Sequence, residues 1–145
     1  MTLRFPSRII IGWMGIAAAL IVAPTAGAGA DLSSTWHEDA SGYEEAVRQQ
    51  KVLHAPMLVY FHTDWCPHCR AFDQLLEDEK VRSQLRPYIK VRVNPEHGEA
   101  EKDLFEERFG AEGYPALFFQ DSETDSPSRI SAKGPADRFV AQFAE

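Results

Sequence analysis

The sequence predicts an α/β chain, a small central mixed β-sheet flanked by α-helices on both faces. Three observations carry this. Residues 89–94, "IKVRVN", alternate with period two and stop at Pro95, as a half-buried strand does. Residues 55–62, "APMLVYFH", form a short apolar run behind a proline and lead into a helical pattern, so strand, helix and strand follow in order. Further on, "ALFF" (116–119) is joined by the turn-rich "QDSETDSPS" to "RISAK", which reads as a hairpin. A strand–helix–strand order implies a parallel pair joined by a right-handed crossover, and the hairpin adds an antiparallel edge.

Residues 31–41 are polar, with one Trp, and read as a lead-in segment. Ser41 and Glu44 have capping-box spacing ahead of "YEEAVRQQKVL", where Tyr43, Ala46 and Val47 recur at helical intervals. After the strand at 55–62 comes "RAFDQLLEDEKV", with Phe72, Leu75, Leu76 and Val81 on one side of a helix. "GEAEKDLFEERFG" is an amphipathic helix closed by Gly110, and Gly134-Pro135 opens a last helix with Phe139, Val140 and Phe143 inward. The expected core is Leu75, Leu76, Phe105, Phe109, Phe118, Phe119, Phe139 and Phe143.

The first 30 residues stand apart. Arg4 and Arg8 precede an apolar run of about 15 residues, shorter than the ~20 a spanning helix needs, and the segment ends in Ala28-Gly29-Ala30. This order predicts a signal peptide at 1–30 cleaved after Ala30, or an uncleaved anchor, a lead-in at 31–41 and a folded domain at 42–145. The chain would then be exported, periplasmic if the host is a Gram-negative bacterium. The whole chain has 15 Lys and Arg against 22 Asp and Glu, a net charge of −7, and loss of Arg4 and Arg8 makes it −9. Nucleic acid and anionic membrane are excluded as partners, because both need a positive surface. Monomer is the default state.

The chemistry concentrates in "VYFHTDWCPHCRAF", residues 59–72, which holds both cysteines of the chain. A disulfide across two intervening residues closes a tiny loop and adds little stability, so a structural staple is disfavoured. Haem attachment needs a histidine directly after the second cysteine, and that residue is Arg70. A metal site could draw on His62, Cys66, His68 and Cys69, but a strand and a helix aim these ligands apart. Cys66 follows a buried strand and opens a helix, with Pro67 suited to the first turn. Unpaired N–H groups and the helix dipole there favour a thiolate. Cys69 lies on the same helical side and can close a disulfide. The expected roles are an exposed nucleophile at Cys66 and an inner resolving thiol at Cys69, with His68 and Pro67 tuning the potential.

The combination of strand, W-C-x-x-C, the downstream "GYPALFF" and Gly134 before a terminal helix resembles the thioredoxin superfamily over residues 36–145. It is most similar to small exported thioredoxin-like domains, including the C-terminal domain of the membrane disulfide reductase DsbD. The resemblance implies the thioredoxin fold and a thiol:disulfide oxidoreductase that acts on protein thiols and disulfides without a bound cofactor, with a membrane redox partner as one source of electrons. It also implies that Pro115 is a cis-proline facing the cysteines and that Tyr114 contacts the partner. Two departures stand out. Pro-His between the cysteines is the pair of the oxidase DsbA rather than the Gly-Pro of thioredoxins. Tyr60 occupies the place where thioredoxins bury an acid, so the usual proton acceptor for Cys69 is missing.

Bland readings stand beside these. Trp65 is read as a surface shield beside the active site, Tyr60 as core, and Tyr114 as either packing or partner contact. Lys90 matches a lysine near the thioredoxin site or is a solvated strand end. His37, His54 and His97 are read as solvated. Two alternatives of a different class are a non-catalytic binding module on the same fold and a Cys/His metal-binding protein.

Overall fold

Five consecutive apolar residues, Met57–Phe61, form β2, and all five are buried. In the computed structural model residues 32, 35–124 and 126–144 are described, and the predicted signal segment at 1–30 lies outside them. The order is β1 (Trp36–Glu38), α1 (Asp39–Leu53), β2, α2 (Pro67–Leu76), α3 (Glu79–Gln84), β3 (Ile89–Val93), α4 (Glu99–Asp103), β4 (Ala116–Gln120), β5 (Pro127–Ile130) and α5 (Ala136–Val140). A π-helical turn, Leu104–Arg108, extends α4, and a 3₁₀ turn, Ala141–Phe143, extends α5.

Among the described residues the sheet runs β1-β3-β2-β4-β5. β2 pairs with β3 in parallel, Val59 opposite Val91, and with β4 antiparallel, Val59 opposite Phe118. The β4–β5 hairpin supplies the predicted antiparallel edge. β2 is thus the central strand, flanked on both sides, and its uninterrupted apolar run follows from burial on both faces.

Alternate residues of the strands feed two cores. Met57, Val59 and Phe61 join Tyr43, Ala46, Phe105 and Phe109 beneath α1 and α4. Leu58 and Tyr60 join Phe72, Val81, Phe139 and both cysteines beneath α2, α3 and α5. Of the expected core, Phe105, Phe109, Phe118 and Phe139 are buried. Leu75, Leu76, Phe119 and Phe143 are half-buried against the second cluster.

Along the elements the structure differs from the sequence reading in several respects. Trp36–Glu38, inside the polar lead-in, is a strand paired in parallel with β3. Its three residues are at most half-buried, so hydrophobic periodicity gives no sign of an edge strand. α1 begins at Asp39 rather than behind Ser41, and the Asp39 carboxylate accepts the Asn94 N–H at 3.1 Å instead of capping its own helix. Gly42 fits this early start, because a Cβ there would lie 2.8 Å from the His37 carbonyl carbon. The single helix expected over "RAFDQLLEDEKV" is broken at Asp78, which turns extended and caps α3 by accepting the Lys80 N–H at 2.9 Å. Lys90 is buried, at 3% exposure, and donates to the carbonyls of Leu32 and Tyr88, so it is no solvated strand end.

Candidate redox site

β2 ends at Phe61, and the chain turns through Thr63 into α2, whose N-cap is Cys66 and whose first residue is Pro67. Cys66 and Cys69 are joined in a disulfide with their Cα atoms 5.2 Å apart. Cys66 Sγ also accepts the Cys69 N–H at 3.1 Å, so one of the unpaired first-turn donors of the helix already points at the sulfur. When the bond is reduced, that donor and the helix dipole favour a thiolate at Cys66.

The expected exposure of Cys66 is corrected. Both cysteines are only 2% exposed. They sit in the cluster that holds Tyr60 and Phe72, with Tyr114 packed against it. What is open is the adjoining groove of about 1040 Å³, lined by His68, Leu75, Tyr114, Pro115, Ile130 and Gly134 among others. The Tyr114–Pro115 peptide bond is cis, and Gly113 before it has φ 68, a left-handed conformation glycine adopts freely. His68 from α2 and Tyr114 and Pro115 from the entry to β4 thus line one groove.

Trp65 is 61% exposed, and its indole Nε1 donates to Glu96 Oε1 at 2.9 Å. Its ring meets Tyr114 edge-on at 6.0 Å, and Tyr114 in turn stacks on Phe105 at 5.0 Å. The Tyr114 phenol is held above its ordinary pKa, first by burial and then by the carboxylates of Glu96 and Glu106.

Behind the pair the structure supplies a group that sequence reasoning missed. The Tyr60 hydroxyl donates to the Cys69 carbonyl at 3.3 Å and also faces Asp73. Burial first, and the Asp73 carboxylate second, push the phenol well above its usual range. A phenol has one proton to give, and with that proton on Cys69 the buried Asp73 Oδ1 has no hydrogen-bond partner. Asp73 stands four residues after Cys69 on α2, on the same helical side. That i, i+4 spacing was the signal in the sequence, and Asp73 is the one acid of α2.

His62 does not join the cysteines. Its ring packs 5.4 Å from Tyr60, and burial, with Arg92 next, lowers its pKa. His68 lies on the exposed side of α2, toward the groove. Among the described residues no three His, Cys, Asp or Glu side chains gather as metal ligands. His37 is hydrogen-bonded to Gln49 at 3.0 Å, and His97, although exposed, is paired with Asp39 at 2.8 Å; neither is simply solvated.

Comparison with known proteins places this geometry. Residues 35–122 match the model of the family described as thioredoxin-like. The chain belongs to that family. Its curated relatives include a thiol:disulfide interchange protein DsbD from Ralstonia nicotianae, 27% identical over 73% of this chain and 18% of the relative. The chloroplastic thioredoxin-like protein HCF164 from Oryza sativa is 33% identical over 70% of this chain and 36% of the relative. The chain thus spans well under half the length of either curated relative. Among solved structures, the oxidised C-terminal domain of Neisseria meningitidis DsbD superposes with a TM-score of 0.64 at 20% identity, covering 76% of this chain and 97% of that one. A Thermus thermophilus thioredoxin gives 0.62 at 21% identity, covering 77% and 85%. The fold is the thioredoxin fold.

Proposed function

We propose that this thioredoxin-like chain is an exported thiol:disulfide oxidoreductase that exchanges the Cys66–Cys69 bond with partner proteins through a mixed disulfide. The observation that carries the reading is the disulfide at the N-terminus of α2, with the Cys69 N–H on Cys66 Sγ, beside the cis Tyr114–Pro115 bond. In the reducing direction the Cys66 thiolate attacks a partner disulfide, and the partner's second sulfur leaves as a thiolate. Cys69 then loses its proton to Asp73, the carboxylate one turn further along α2, and attacks the Cys66 sulfur. The partner leaves as a dithiol and the chain is left oxidised. The reverse sequence donates the bond. Pro67 and His68 tune the potential, Trp65 shields the site, and Tyr114 and Pro115 hold an extended partner segment in the groove.

Residues 1–30 act as the export signal, and the folded part works in an oxidising compartment such as the periplasm. There it needs no bound cofactor; its electrons come from or go to protein dithiols, a membrane redox protein among them.

Trapping tests the reading. The Cys69→Ser variant, reduced and mixed with a disulfide-bonded protein, accumulates a mixed disulfide through Cys66, while Cys66→Ser forms none and has no exchange activity. If neither variant differs from the wild type in exchange, the fold serves binding alone. The equilibrium potential of the pair then gives the direction, oxidant near about −120 mV and reductant near about −270 mV.

A further inference from the structure

We infer that Glu96 is a positioning residue for this site: its carboxylate fixes the Trp65 indole against Tyr114 and so sets the wall along which a partner segment reaches Cys66. The inference rests on the exchange reading above. Trp65 immediately precedes a cysteine only 2% exposed, yet is itself 61% exposed. An indole in that setting has no packing to choose its rotamer, and holding it in one costs side-chain entropy. Here two contacts choose it, the 2.9 Å hydrogen bond to Glu96 Oε1 and the edge-on contact with Tyr114 at 6.0 Å.

Glu96 is in turn held from behind. Its N–H donates to Asn94 Oδ1 at 3.0 Å, and Asn94 is 1% exposed at the end of β3. Asn94 donates its own N–H to Asp39 Oδ1 at 3.1 Å, and its Nδ2 lies 3.1 Å from His97 Nε2. His97 Nδ1 closes the bracket on Asp39 Oδ2 at 2.8 Å. The first residue of α1 and the turn after β3 thus fix the backbone from which Glu96 reaches the indole. A free surface carboxylate requires no such bracket. Tyr114, the residue on the other side of the indole, adjoins the cis bond that faces the groove, so the orientation of Trp65 and the partner path are set together.

The test uses the full chain and two probes, insulin disulfides as protein substrate and 4,4′-dithiodipyridine as small disulfide. Glu96→Ala lowers the rate with insulin by about fivefold, the worth of one net hydrogen bond, and leaves the small probe and the thermal midpoint unchanged. Glu96→Gln, whose amide oxygen still accepts from the indole, keeps the wild-type rate. Trp65→Phe loses as much as Glu96→Ala, and the double variant loses no more. The emission of Trp65, taken as the difference from Trp65→Phe, changes in Glu96→Ala and not in Glu96→Gln. A Glu96→Ala rate equal to wild type overturns the inference. So do equal losses in the Ala and Gln variants, which would assign the effect to charge, and so do additive losses in the double variant. Wild-type chain inert toward insulin would instead sink the exchange reading, and the indole emission would still decide whether Glu96 holds Trp65.

Discussion

On β2, Met57, Val59 and Phe61 enter the core beneath α1 and α4, whereas Leu58 and Tyr60 enter the core beneath α2, α3 and α5. The first core is nearly all aliphatic and aromatic, with Phe61 meeting Phe105, Phe109 and Phe118 at ring distances of 5.4, 5.1 and 6.1 Å. The second holds the disulfide, the Tyr60 phenol and, at its margin, Asp73 with a buried oxygen that has no partner. One strand therefore serves two purposes on a period of two. The dry face anchors the sheet, and its stability lets the other face bury polar atoms, the Tyr60 hydroxyl on the Cys69 carbonyl and one Asp73 oxygen, at a cost in free energy.

The largest expected effect lies on the dry face. Phe61→Ala removes a fully buried ring from the aromatic cluster and costs about 3–5 kcal/mol, a large part of the stability of a domain this size. Urea unfolding measures it, and a loss below about 1 kcal/mol would mean the two faces do not divide the work in this way.

Next comes Asp73→Asn on the reactive face. It removes the carboxylate proposed to take the Cys69 proton and leaves a neutral amide in the same space. The resolving step slows by roughly tenfold at pH 7, and the gap closes at alkaline pH, where Cys69 ionises unaided. Stopped-flow kinetics across pH distinguishes this from a packing defect, which would slow the step equally at every pH.

The smallest effect is electrostatic and sets two histidines against each other. His97 has its pKa raised from 6.5, chiefly by its hydrogen bond to Asp39, so its contribution is complete below pH 6.5 and is lost as pH rises through the raised value. His62 has its pKa lowered from 6.5, chiefly by burial, so its contribution is present above pH 6.5 and is lost as pH falls through the lowered value. His97→Gln should therefore flatten the stability profile on the alkaline side only. The change is a few tenths of a kcal/mol at most, roughly, because the pair is exposed and screened. Unfolding midpoints at pH 5, 6.5 and 8 check it, and a flattening on the acid side would contradict the assignment.

Much of the molecule was legible in the chain. The period-two run at β3, the apolar run at β2 and the proline after Cys66 each report a short-range preference, and the elements form where they point. The spacing of Cys66 and Cys69 placed both on one side of α2. Illegible were β1, whose polar residues are held by pairing with β3, and the break at Asp78, where a local cap outcompetes a continuous helical stripe.

By itself, then, the sequence determined the α/β order, the helix that starts at the cysteine pair and the disulfide chemistry that pair allows, because periodicity, capping and i, i+3 proximity act within a few residues. Only the tertiary structure decided that Cys66 is buried beside an open groove, that Tyr60 faces Cys69 and Asp73, and that Glu96 reaches Trp65 across 31 positions. Those contacts depend on which strands become neighbours and on how far α2 lies from the loop after β3. Local preference cannot encode such distances, because the chain sets them only when the two cores close together.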